Sequence, residues 1–255
     1  LYVVWPEPLI VPGRGAAALD IAHKSAIDLV TDADRLSEDY LLQQVRAAYP
    51  DHAILAEESG RLAGNDYLWI IDPLDGTTNY LHGYPQFAVS IALYHQNRAT
   101  QAVIFDPLRD ELFTASRGAG AQVNDRRIRV SEVSRMESAL LGTGFPFKSM
   151  EHLDAWIDSF RTLLPLCSGV RRAGSAALDL AHVACGRLDG FWEIGLSPWD
   201  MAAGCLLIEE AGGMVGDFAG GQAFLESGNV IAGNTRIYAE LLRLITPQLP
   251  EELRR

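Results

Sequence analysis

The chain reads as an α/β protein with an α+β N-terminal half and an α/β C-terminal half. Three observations predict this. Residues 87–130 hold alternating or apolar runs parted by turn residues, the pattern of an antiparallel sheet. Beyond Leu140, helical spacing alternates with short apolar runs, the pattern of an α/β unit. With 255 residues, 48% of them apolar and 21% charged, the chain can bury a large core. The texture changes near residue 140, so the expected halves are 1–140, with most of the acidic motifs, and 141–255.

In chain order, residues 36–48 carry Leu41, Leu42 and Val45 at helical spacing, and Tyr49-Pro50 ends the run. Residues 52–55 read as a short strand entering Ala56-Glu57-Glu58-Ser59-Gly60. Residues 68–71 read as a buried strand that Pro73 stops. Residues 87–94, 101–105, 111–116 and 121–130 supply the antiparallel sheet, with Gly118-Ala119-Gly120 as a hairpin turn. Residues 153–164 and 175–185 are helical, the second with Gly186 in a C-terminal capping place. A helix over 200–211 closes on Gly212-Gly213. Short strands follow at 214–218 and 229–232, then a last helix over 237–245.

The net charge of −12 argues against non-specific nucleic-acid binding and favours divalent cations where acids cluster. No apolar stretch nears the ~20 residues of a membrane span. Residues 1–12, broken by Pro6, Pro8 and Pro12, lack the features of a signal peptide. Cys167, Cys185 and Cys205 show no CxxC spacing, so neither a disulfide framework nor a zinc site is expected. They read as small core residues in a reducing, cytoplasmic setting.

The densest signal is Trp69-Ile70-Ile71-Asp72-Pro73-Leu74-Asp75-Gly76-Thr77-Thr78-Asn79. Asp72 and Asp75 fall at a strand end, where α/β proteins place their sites. Carboxylates this close repel unless a cation joins them, and hard oxygens suit Mg²⁺. Gly76, Thr77 and Thr78 then offer backbone N–H groups at a helix start, which attracts phosphate. Metal beside phosphate implies phosphoryl chemistry, while a plain Asp-Pro, Asp-Gly turn is the alternative. Asp28 to Asp34, Glu57-Glu58, residues 172–176 and Ser197-Pro198-Trp199-Asp200 each set acids or small polar residues at an element junction. Taken singly, each fits a cap or a turn; Asp32 or Asp34 would then cap the first long helix.

Together these segments resemble the inositol monophosphatase family of Mg²⁺-dependent, lithium-sensitive phosphatases. The family's Asp-x-Val-Thr-x-x-Asp is matched by residues 28–34, and its acidic pair by Glu57-Glu58. Asp-Pro-x-Asp-Gly-Thr-x-Asn is matched in full by 72–79, and Trp-Asp-x-Ala-Ala-Gly by 199–204. The likeness runs from about Lys24 to Ile245. It is nearest the bacterial extragenic suppressor branch, through residues 142–148 and 171–179. Residues 1–20 depart from the family pattern, which opens with a long amphipathic helix.

The resemblance implies a layered αβαβα sandwich. It also implies two or three Mg²⁺ ions held by Glu57, Asp72, Asp75, Asp200 and the Leu74 carbonyl. Glu57 and Thr77 would orient the attacking water, with Asp34 holding the Thr77 hydroxyl as its acceptor. Gly76, Thr77 and Thr78 would hold phosphate. Glu193, Asp200 and Gly174-Ser175-Ala176 would meet a phosphorylated polyol, inositol 1-phosphate first. Lys24 would lie near a third metal or simply in solvent. A homodimer is implied, and through the branch a partnership with RNA polymerase or elongation factors. Related sugar, histidinol or nucleotide phosphatases remain alternatives. Gly13-Arg14-Gly15-Ala16-Ala17-Ala18 mimics a dinucleotide fingerprint, but no βαβ unit follows it. No Gly-x-Ser-x-Gly elbow occurs, and His82, just past the site motif, reads as a surface residue.

Overall fold

The computed structural model describes residues 21–23, 29–146 and 150–254. Lys24, Asp28, the 13–18 segment and residues 147–148 of the 142–148 likeness lie outside them.

Strand β1 (Ile21–His23) pairs antiparallel with β2 (Leu29–Thr31). Helix α1 (Asp32–Ala48) follows at once, starting ahead of its apolar pattern. The cap is Thr31 rather than Asp32 or Asp34. The Thr31 hydroxyl accepts from the Ala33 and Asp34 N–H groups, and the Asp34 carboxylate accepts from the Thr31 N–H. This reciprocal box satisfies the open donors of the first turn.

Next come β3 (Ala53–Ala56), β4 (Gly60–Leu62), β5 (Tyr67–Asp75), the short helix α2 (Thr77–Leu81) and β6 (Ala88–His95). The hairpins of β7 (Arg98–Asp106), β8 (Glu111–Ser116), β9 (Gly120–Val123) and β10 (Arg126–Arg127) complete an eight-stranded sheet of order β10-β9-β8-β7-β6-β5-β3-β4. Two expectations fail here. Pro73 does not stop β5. The pairing with β6 slips between Asp72 and Asp75, and an irregularity of this kind tolerates a residue with no N–H. Residues 121–130 are not one strand, because Asn124 and Asp125 take φ of 47° and 62° and turn β9 back into β10.

The second sheet is built from β11 (Leu140–Thr143), β12 (Gly169–Arg171), β13 (Gly190–Glu193), β14 (Met214–Gly216) and β15 (Val230–Gly233), in the order β12-β11-β13-β15-β14. The pairs β11–β12 and β11–β13 are parallel, and β15 runs antiparallel to both its neighbours. The helices of this half are α3 (Leu153–Leu163), α4 (Ala176–Ala184), α5 (Pro198–Glu210), α6 (Phe224–Ser227) and α7 (Thr235–Ile245).

Helices α4 and α5 touch strands of both sheets, so they form the middle layer. Both are buried along nearly their whole length. They cross closely because Gly204 has no side chain: a Cβ there would sit 2.4 Å from the Leu180 Cβ. Helix α1 packs on β5 from outside. Helix α7 packs on β13 and β15, with α3 against α7. Three apolar clusters fill the gaps: α1 with the first sheet, the sheets with α4 and α5, and the second sheet with α3 and α7. The layer order is therefore αβαβα. Cys205 is buried, while Cys167 and Cys185 are only half-buried, and all three are free thiols. Among the described residues no helix is long and apolar enough to cross a membrane.

Candidate active site

The bulged end of β5 and the starts of α2, α4 and α5 converge on one cleft of about 290 Å³. It takes in Glu57, Asp72, Leu74, Asp75, Gly76, Thr77, Thr78, Gly174, Ser175, Ala176, Glu193 and Asp200. Of the site residues expected from the sequence only Asp34 stands behind the wall, fully buried.

Local structure aims each acid. Asp72 accepts the Leu74 N–H at 2.9 Å across the bulge. Asp75 has one oxygen tied to the start of α4, by the Ser175 hydroxyl at 2.5 Å and the Ala177 N–H at 2.8 Å. Asp200 accepts the Ser197 N–H at 2.6 Å within the capping box of α5. Each of these three acids thus has at least one oxygen engaged. Their carboxylates offer oxygens within 4.8 Å of one another. Glu57 lies outside that triad, on the turn after β3, yet its charge reaches Asp72.

Burial, and then the negative charges of Glu57, Asp75 and Asp200, push the Asp72 carboxyl well above its ordinary range. Glu193 is raised by burial and then by Asp200 and Asp179. Asp34 is raised by burial, against the pull of hydrogen bonds from Thr31 and Thr77. Carboxylates gathered in this way destabilise one another until a cation or protons join them. Hard oxygens at this spacing fit a divalent ion such as Mg²⁺.

The Thr77 hydroxyl lies 3.0 Å from Asp34 Oδ1 and 3.1 Å from the Leu74 carbonyl. It has one proton for two acceptors, and the carboxylate is the stronger of them. Gly76, at φ 91°, turns the chain into α2 where a Cβ would press 2.9 Å from the Gln86 carbonyl.

Other residues belong to the site although the sequence reading gave most of them no role in it. Helix α1 presents Asp34, Ser37 and Glu38 on one buried face. Ser37 donates to the Pro73 carbonyl at 3.0 Å. Glu38 accepts the Glu58 and Ser59 N–H groups, each at 2.8 Å. Asn79 ties α2 to the Gly174 turn through the Ala173 and Gly174 carbonyls. Asp179 and Arg172 line the cleft, and the Arg172 guanidinium lies 4.5 Å from the Phe145 ring centroid. The signal that could have found Ser37 and Glu38 is polar residues three and four beyond Asp34, which share its helix face. His82 is exposed, as expected.

Five layers with a carboxylate cleft among strand and helix ends are the architecture of a phosphatase class. A family model described as the inositol monophosphatase family matches residues 10–251. The chain belongs to the inositol monophosphatase family. It is 54% identical over 243 residues to a Pseudomonas aeruginosa protein named Nus factor SuhB, covering 93% of this chain and 90% of that one. It is similar to the crystal structure of the extragenic suppressor protein suhB from Bartonella henselae, with TM-score 0.88, 46% identity, and 91% and 90% of the two chains covered. It is also similar to an inositol monophosphatase from Anabaena, with TM-score 0.81, 50% identity, and 86% and 87% covered.

Proposed function

We propose that the cleft hydrolyses phosphate monoesters of small polyols, inositol monophosphates first among them, with Mg²⁺ as its metal. The observation that carries this reading is the convergence of Asp72, Asp75 and Asp200 oxygens within 4.8 Å. Glu57, Asp72, Asp75, Asp200 and the Leu74 carbonyl would hold two or three ions. Bound there, the cations supply charge neutralisation for the phosphoryl group and a more acidic water. The chain's own residues do the rest. Asp34 accepts the hydrogen bond of the Thr77 hydroxyl and leaves that oxygen's lone pair for the cleft, fit to orient water beside Glu57. Gly76, Thr77 and Thr78 flank the phosphate. Glu193, Asp200 and the Gly174-Ser175-Ala176 turn at the head of α4 meet polyol hydroxyls. The test is phosphate release from inositol 1-phosphate with and without Mg²⁺, on a panel that includes sugar, histidinol and nucleotide phosphates. Hydrolysis that is indifferent to a chelator would sink the reading.

The Nus factor name of the Pseudomonas relative favours a second role beside the first, as a homodimer or free subunit that joins RNA polymerase or elongation factors in the cytoplasm. Co-purification with polymerase, compared between the wild type and Asp72→Asn, tests whether that role is separate from hydrolysis.

A further inference from the structure

The four acidic ligands proposed above are not held equally. Asp72 and Asp75 project from the end of β5, where β6 pairs with them, and Asp200 from a buried helix. Glu57 instead sits on the three-residue turn between β3 and β4, and such turns hold position only through their tethers. Beside the β3–β4 pairing that closes this turn, all three of its backbone N–H groups are tethered. Its Glu57 N–H donates to the Ile71 carbonyl at 3.2 Å, a long bond. The Glu58 and Ser59 N–H groups donate to the two oxygens of Glu38 at 2.8 Å each. The Glu38 side chain is buried, with 3% exposure, on the α1 face that also carries Asp34. A carboxylate shared between two backbone donors is among the stronger and more directional of hydrogen-bonding arrangements.

We infer that Glu38 is a positioning residue for the metal site: it fixes the turn that aims Glu57 at the cleft. The inference rests on the proposed metal role of the cleft. It also makes α1 a common jig, since one helix face then sets Thr77 through Asp34, the β5 bulge through Ser37 and Glu57 through Glu38.

The experiment is calorimetric titration of Mg²⁺ into the wild type, Glu38→Gln and Glu38→Ala, with melting curves and kcat measured alongside. Partners of metal ligands shift affinity by about 10–100-fold when removed. Glu38→Ala is therefore expected to raise the Mg²⁺ Kd by about tenfold or more. Glu38→Gln keeps one acceptor and sets its NH₂ against the other N–H, so it should fall between the two. Excess Mg²⁺ should restore part of the lost kcat. A lower melting temperature with wild-type Mg²⁺ affinity in both variants would overturn the inference and leave Glu38 a stability residue only. Should Glu38→Ala fail to fold, Glu38→Gln decides alone. A wild type that binds no Mg²⁺ would overturn the metal reading itself, and this inference with it.

Discussion

Two groups of acids in this molecule live under opposite conditions. Glu111, at the start of β8, meets Arg187 in a two-pronged pair with both contacts at 2.5 Å. The Arg187 hydrogen bonds hold its carboxyl below the usual carboxylate range. Asp72, at the end of β5, is buried, and the charges acting on it are all negative, so its carboxyl stands far above that range. The chain answers the first acid with a cation of its own and gathers the second with more acids. An acid paired internally contributes to the fold. Acids that face one another lower stability until something from outside joins them, and that is the physical mark of a binding site.

The strongest way to break this comparison is to remove a charge from each group. Asp72→Asn and Asp200→Asn should lower phosphate release by about a thousandfold or more, since each removes ligand charge worth several kcal/mol of transition-state stabilisation. Both should keep their circular dichroism and a cooperative melting transition. Arg187→Ala, on the surface pair, should turn over like the wild type. Near-normal turnover by either cleft variant at saturating Mg²⁺ would erase the distinction. Asp34→Asn comes next. It leaves the Thr77 hydroxyl without its charged acceptor, and a loss of about a hundredfold in kcat is expected while Mg²⁺ affinity stays near wild type. A matching loss of metal affinity would make Asp34 part of the metal shell instead.

The cleft half of this contrast was legible before the structure, because its acids sit in short, dense motifs. Residues 72–79 and 199–204 carry strand end, acids and helix start within a few positions. The partners of those acids were not legible. Glu38 reaches Glu58 and Ser59 across 20 and 21 positions, and Ser175 reaches Asp75 across 100; no local pattern encodes such distances. The strands β11, β12 and β13 are three or four residues long, too short for a period to show. The bulge at Pro73 was misread because a proline rule written for regular ladders does not hold where the ladder slips. The starting point of α1 was missed for a similar reason: its cap, Thr31, sits before any apolar repeat begins.

The comparison also predicts opposite responses to pH. The carboxyls of Asp72 and Glu193 are raised by burial and neighbouring charge, so the folded chain holds their protons more tightly than the unfolded chain does. Their contribution is full below the unfolded value and is lost as pH rises through the folded one. With a chelator present, the melting temperature should therefore fall as pH rises above the unfolded values of 3.8 and 4.5. Saturating Mg²⁺ should flatten that fall, adding about 2.7 kcal/mol at a hundredfold excess over Kd. Asp72→Asn should shallow the metal-free slope, which separates the cleft from the general repulsion of an acidic chain. A metal-free melting curve that stays level or climbs across this window would contradict the picture of stored repulsion.

The smallest effect belongs to the surface pair, and its sign is reversed. The Glu111 carboxyl is lowered first by the Arg187 hydrogen bonds, so it stabilises the fold above the unfolded value of 4.5 and loses that contribution as pH drops through the folded one. The Arg187 side chain is 43% exposed, so solvent screening limits the pair to about 0.2–1 kcal/mol. Glu111→Gln should therefore lower the denaturation midpoint slightly at neutral pH and less at an acid pH, where the wild-type carboxyl takes up its proton. Raising the salt concentration should shrink the difference further. Chemical denaturation of both chains at the two pH values measures it, and a larger cost at low pH than at neutral pH would show that Arg187 is not what holds that acid in its charged form.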